Sequence, residues 1–205
     1  MNGILDATFF TSALVTLFVI MDPVGTVPIF LSLTGGYRPP QVRAAARQSV
    51  LVSFLVISTF AFFGQSILDY LRVSLPALQC AGGLLLLLVA LELLTGKDDE
   101  PMATGNANVA LVPLGTPLLA GPGAIVATMV FSKRVHDFAD FSALSLAVIA
   151  VHLCLWLAMT FSIPILRLLR ESGILLVTRI AGLLLSAIAV QLVADAVRAF
   201  IAGKG

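Results

Sequence analysis

Six stretches of this chain are too apolar and too long to have water as their solvent. Residues 48–68, 73–91, 102–132 and 180–194 contain no Asp, Glu, Lys or Arg, residues 141–166 add only His152, and residues 7–37 hold a single charge, Asp22. Crossing the hydrocarbon of a bilayer takes about 20 apolar residues at ~1.5 Å each. The pattern therefore predicts six membrane spans in a single integral membrane domain covering residues 1–205. The links between them, "TGGYRPPQVR", "LDYLRVSLP", "TGKDDEPMATGN", "SKRVHDFAD" and "LRLLRESG", collect glycine, proline and charge, as loops do. Only 11% of the residues are charged, against roughly 25% in soluble domains. The net charge of +1 suggests neither nucleic acid nor an acidic partner. The N-terminus lacks the basic start and small-residue cleavage site of a secretion signal, so its apolar run is expected to be the first span. Cys80 and Cys154 lie in apolar runs and read as small buried hydrophobes rather than a disulfide or a metal pair.

The chain also matches itself. With residues paired 99 positions apart, Pro23 meets Pro122, Val52 meets Val151 and Phe62 meets Phe161. "GGLLLLLVALELL" (82–94) then falls on "AGLLLSAIAVQLV" (181–193), pairing Gly83 with Gly182, Ala90 with Ala189 and Glu92 with Gln191. Leucine matches carry little weight in so apolar a chain, but glycine, proline and Glu/Gln matches in one ungapped register do. Two repeats follow, 1–97 and 106–205, joined by a linker at 98–105. Three spans per repeat is an odd number, so the second half must enter the membrane facing the other way, an inverted repeat. With the N-terminus outside, the inner loops carry Arg38, Arg43, Arg47, Lys97, Arg167, Arg170 and Arg179, and the outer segments carry Arg72, Lys133, Arg134, Arg198 and Lys204. The excess on the inner side places both termini outside.

Each repeat opens with an interrupted span. The first reads "TLFVIMDPVGTVPIFLSL" and the fourth "VPLGTPLLAGPGAIVATMVF". Proline lacks an N–H and clashes with the preceding turn, whereas glycine permits backbone closed to other residues. Proline is nevertheless at home in the first turn of a helix, behind an Asp or Gly cap. Asp22-Pro23 and Gly121-Pro122 thus read as the starts of new half-helices. Broken backbone at this depth survives only where protein covers it or where it lines a wet cavity. A helix N-terminus there offers unpaired N–H groups and partial positive charge, a setting suited to a carboxylate. Asp22, Pro23, Gly25, Thr26, Pro28, Gly121, Pro122 and Gly123 are therefore the candidate substrate-binding residues. A ligand carboxylate would meet N–H groups near Gly25 and Gly123, and its ammonium would meet Asp22 or the carbonyls freed just upstream. The bland alternative is a pair of kinked helices packed dry.

"MDPVGTVPIFLSLT" and "VPLGTPLLAGPGA" resemble the paired signatures of the MarC family of bacterial and archaeal membrane proteins, and the resemblance extends along the chain through "GGLLLLLVALELL". That family includes the SnatA-type small neutral amino acid transporters. The resemblance implies an all-α membrane protein of six transmembrane helices, arranged as an inverted 3+3 repeat with discontinuous helices 1 and 4 around a central site. It also implies a multi-pass protein of a prokaryotic cytoplasmic membrane and, for transporter members, substrates such as glycine, alanine, serine or threonine. Efflux of drugs or metabolites and a channel are the alternatives.

A charge inside a bilayer costs at least about 2.5–3.5 kcal/mol, so each polar residue in a span needs a reason. Asp22, Glu92, Gln191 and His152 form the candidate proton or polar site. For His152 an interhelical hydrogen bond is the default, for Glu92 a snorkel to the interface, and for Asp195 a helix-end ion pair with Arg198. Gly82, Gly83 and Gly182 read as points where helix backbones approach closely. No HExxH, GxSxG or paired-Asp GxGD pattern and no Cys/His cluster is present, so neither enzyme, metal nor cofactor is expected. The expected partners are the bilayer and a zwitterionic small molecule, with oligomerisation left open.

Overall fold

The computed structural model describes residues 6–95 and 119–203. It contains seven helices and, among the described residues, no strand: α1 (Ala7–Met21), α2 (Thr26–Leu33), α3 (Pro39–Leu71), α4 (Leu75–Thr95), α5 (Pro122–Lys133), α6 (Phe138–Thr160) and α7 (Ser162–Ile201). Four helical segments are long and apolar enough to cross a bilayer, namely α3, α4, α6 and the Ser172–Ile201 part of α7. The α1–α2 pair, bent by 44° at its break, makes a fifth if it is one span. The linker 98–105 and the first half of the fourth predicted span lie outside the described residues; its second half is α5. The protein is thus an all-helical, multi-pass membrane protein.

Local chemistry sets the boundaries. The Asp6 carboxylate accepts the Phe9 N–H at 2.8 Å and starts α1, and Asp137 does the same for α6 by accepting from Asp140 N–H at 2.9 Å. Helix α3 begins at Pro39-Pro40, whose missing N–H groups would be unpaired there anyway, while the Gln41 side chain accepts the Arg38 N–H at 2.8 Å. "RPPQVR" is therefore helix from its second residue rather than the loop its polarity suggests. "LRLLRESG" is likewise part of α7, interrupted only at Arg170, where φ is 54° and the helix kinks.

Leu17, Phe30, Ile57, Leu119, Val151, Leu155 and Met159 pack where α1, α2, α3 and α6 converge around α5. Among the long spans α6 is the most enclosed, with 39% of its span window buried against 17–22% for the others. Helix α5 is more enclosed still: Gly123, Ala124 and every residue from Val126 to Phe131 are buried. The Ser132 hydroxyl fastens it to α3 by donating to the Ala61 carbonyl at 2.6 Å. Outward faces carry Leu55, Phe62, Leu84, Leu88, Ile149 and Leu183, all exposed, as suits a lipid environment.

Helices α4 and α7 cross at glycine. A Cβ on Gly83 would stand 2.8 Å from the Ala189 carbonyl oxygen, and one on Gly182 would stand 3.2 Å from the Ala90 carbonyl oxygen. Each contact is the other displaced by 99 positions. Gly82 meets α5 in the same manner, 2.5 Å from Val126.

Candidate functional site

Asp22 sits at the break in the first span with backbone in the left-handed region, φ 36°. Its own N–H donates to the Phe18 carbonyl and closes α1 at 3.0 Å. Its side-chain Oδ1 accepts the Gly25 N–H at 3.0 Å, and its carbonyl accepts both the Thr26 N–H (3.0 Å) and the Thr26 hydroxyl (2.9 Å). The capping bond expected of Asp22-Pro23 forms, but regular helix resumes only at Thr26. Val27 N–H donates to the Val24 carbonyl at 3.1 Å. The amides of Gly25, Thr26 and Val27 are thus all engaged. This corrects the expectation of a donor cradle near Gly25: the short Asp side chain folds back onto the turn and uses the N–H that a ligand carboxylate would need.

What remains open at this break is an acid oxygen. Asp22 Oδ2 is buried and has no hydrogen-bond partner among the described residues. It lies against Gly25, where any Cβ would collide with the Asp22 carboxylate, and the Thr178 hydroxyl of α7 comes within 3.3 Å of the same point. The Asp22 carboxylate, the bare Gly25 backbone and Thr178 thus converge. Thr178 escaped sequence reasoning because it lies beside Arg179 in what read as a loop edge. Its polar interruption of "GILLVTRIAGLL" was the available signal.

The start of α5 differs. Gly121, in extended backbone, precedes Pro122 at the first position of α5, and no side chain caps this terminus. Ala124 and Ile125 N–H groups return to the Gly121 carbonyl at 3.0 and 3.2 Å. Gly123 is buried against Leu86 of α4, whose side-chain methyls occupy the place a Cβ would need. Leu86 packs with Val19 and Ile20 as well, just before Asp22, while Met21 shares a buried cluster with Leu119, Ala120 and Ala124. The Asp22 turn and the start of α5 are therefore neighbours in one core: an acid-bearing turn on one side, an uncapped helix N-terminus on the other. Pro23, Gly25 and Thr26 are buried, whereas Pro28 and Pro122 face outward.

His152 is buried, with Nδ1 2.7 Å from the Val148 carbonyl and Nε2 3.2 Å from the Ser53 hydroxyl. A carbonyl only accepts, so Nδ1 carries the proton and Ser53 donates to Nε2. Phe54 stacks edge-on against the imidazole, ring centroids 5.3 Å apart. Glu92 and Gln191 do not meet. Both are exposed, and Gln191 donates instead to Asp195 at 2.8 Å, which also pairs with Arg198 at 3.6 Å. The reason is angular: Ala90 and Ala189 face the α4–α7 contact, and two residues further along a helix of ~3.6 residues per turn points to the far side. Cys80 and Cys154 are free thiols.

A multi-pass helical membrane protein with its first span broken at a half-buried acid is the class this fold and site define. Residues 7–201 match the family model described as "MarC family integral membrane protein". The chain is 34% identical to a UPF0056 membrane protein of Methanocaldococcus jannaschii, covering 95% of this chain and 98% of that one. It is 32% identical to a UPF0056 membrane protein of Aquifex aeolicus (92% of each chain) and 30% identical to the UPF0056 membrane protein YhcE of Escherichia coli (91% of each). No solved structure matches it. The chain belongs to the MarC family of integral membrane proteins.

Proposed function

We propose that this protein is a secondary transporter of small neutral amino acids, of the glycine, alanine, serine and threonine class, in a prokaryotic cytoplasmic membrane. The observation that carries the reading is the pairing of unlike ends. A buried Asp22 oxygen without a partner lies near the same core as an α5 terminus that no side chain caps. A zwitterion fits both, its ammonium toward Asp22 and Thr178 and its carboxylate toward the N–H end of α5. Neither break brings a Lys or Arg into the core, which disfavours a purely anionic substrate.

The full architecture in this reading has six spans as an inverted 3+3 repeat, both termini outside and the discontinuous helices 1 and 4 at the centre. The reciprocal contacts Gly83–Ala189 and Gly182–Ala90 support it, since a two-fold relation between halves generates such exchanged pairs. Ser53 and His152, themselves 99 positions apart, touch where such an axis would pass.

A thermal-stability screen of detergent-purified protein tests the substrate class. Ligands that bind only the folded state raise stability by mass action. Millimolar glycine, alanine or serine should raise Tm, and Asp22→Asn should abolish that shift. A panel in which only bulky hydrophobic drugs raise Tm would replace this reading with efflux.

A further inference from the structure

We infer that the cleft between α3, α5 and α6 is one of two equivalent vestibules, and that the second, now closed around the hydroxyls of Ser49 and Thr160, opens when the first shuts. The inference rests on the two-half reading proposed above and deepens it by naming the two faces that exchange. The open cleft holds about 350 Å³ and is lined by Phe54, Ser58, Phe62, Phe141, Ser145 and Val148, among others.

The orphaned polar atoms mark its counterpart. Three buried side-chain oxygens among the described residues lack a hydrogen-bond partner: Asp22 Oδ2, Ser49 Oγ and Thr160 Oγ1. The first belongs to the site already described. The other two, displaced by 99 positions, fall on Val148 and Ala61, and both of those line the open cleft. A hydroxyl buried without a partner is costly, and the cost disappears once water reaches it. Two such hydroxyls at the image of an open cleft are what a surface leaves behind when it is wet in one conformation and packed in the other.

The helix order agrees. On α3, Ser49 lies to one side of Ser53 and the cleft residues Phe54–Phe62 to the other; on α6, the cleft residues Phe141–Ile149 precede His152 and Thr160 follows it. The Ser53–His152 contact therefore separates the open cleft from its image, as the fulcrum of a rocking pair would. Neither lining contains a charged residue. Each offers hydroxyls on an apolar wall, Ser58, Ser132 and Ser145 on one side and Ser49 and Thr160 on the other. Such surfaces suit water and a small neutral zwitterion rather than an inorganic ion. A packed core switches between discrete arrangements rather than deforming continuously, so closure of one face and opening of the other are expected together.

The test uses full-length protein in liposomes, in a Cys80→Ala, Cys154→Ala background. Phe62 and Phe141, whose rings lie 6.1 Å apart at the lips of the cleft, are replaced by cysteines and cross-linked. The probe is a small methanethiosulfonate reagent, read at Ser145→Cys in the open cleft or Ser49→Cys in its image. Before cross-linking, the cysteine at 145 should react fast and the one at 49 slowly; afterwards the order should reverse, with position 49 accelerated roughly tenfold or more. Unchanged reactivity at 49 under a cross-link that protects 145 would overturn the inference, and so would slow reaction at 145 beforehand, the behaviour of a lipid-filled gap. Ser145→Trp is the second arm, because a wedge that prevents closure should hold position 49 unreactive; continued slow labelling at the wild-type rate would count against it. Labelling needs no substrate. Exchange of reactivity without glycine transport would sink the transport reading alone, and glycine transport without exchange would sink this inference alone.

Discussion

Ser53 on α3 and His152 on α6 meet at 3.2 Å in the interior, with the imidazole's other nitrogen 2.7 Å from the Val148 carbonyl. The pair ties α3 to α6. Ser53→Ala should cost about 1–2 kcal/mol, because Nε2 is left buried without a donor. Combined with His152→Phe, the double variant should cost less than the two singles added, by ~0.6 kcal/mol and at most about 1.7. Denaturation of the four proteins in mixed micelles measures this, and strict additivity would mean the contact contributes nothing.

The helix crossing at Gly83 and Gly182 makes a graded prediction. At Gly83 a Cβ would face a backbone oxygen at 2.8 Å, which cannot rotate away, whereas at Gly182 the nearest atoms stand at 3.1 and 3.2 Å. Gly83→Ala should therefore destabilise by about 1–3 kcal/mol and Gly182→Ala by less. Gly36→Ala, with nothing within 4 Å, serves as the neutral control. Thermal denaturation should rank the three in that order.

Asp22 joins two roles that can be separated. Asp22→Asn keeps an oxygen for the Gly25 N–H but removes the acid; it should fold normally and fail to bind or move substrate. Asp22→Ala loses the capping bond too and should be less stable by about 1 kcal/mol. Equal stability for the two variants would show that the Gly25 bond does not hold the break together.

The three atoms nearest a Cβ on Gly123 all belong to the Leu86 side chain, so its defect should be reparable. Gly123→Ala should reduce transport, and adding Leu86→Ala, which clears the space, should restore part of it. Gly25→Ala should resist any such rescue, since its Cβ would collide with the Asp22 carboxylate itself. Gly123→Val should abolish transport while leaving folded protein in the membrane.

Much of this was legible before any coordinates. Charge-free windows located the long apolar helices among the described residues, because a charge in hydrocarbon is too costly to place by accident, and Asp22-Pro23 marked the break between α1 and α2 while Gly121-Pro122 marked the start of α5. Gly83 and Gly182 announced the α4–α7 crossing, and His152 its hydrogen bond. Polarity misled at "RPPQVR" and "LRLLRESG", where the helices run on through polar residues: composition tracks the change from apolar to polar, and helix geometry does not. Glu92 and Gln191 misled for another reason: equivalence under the repeat fixes matching positions, not contact, and both residues point outward. The fold of Asp22 back onto Gly25 was hidden because a side chain's choice between cap and ligand is made by local rotamers. Thr178 was hidden because it approaches Gly25 from a distant part of the sequence.

In the proposed function, a small zwitterion held between the Asp22 turn and the start of α5 is carried across the membrane. Glycine counterflow into liposomes loaded with unlabelled glycine tests it most directly. The native protein should show saturable uptake of the labelled solute without unitary current, and Asp22→Asn should show none. Absence of counterflow in the native protein, or uptake undiminished by the Asp22 substitution, would contradict it.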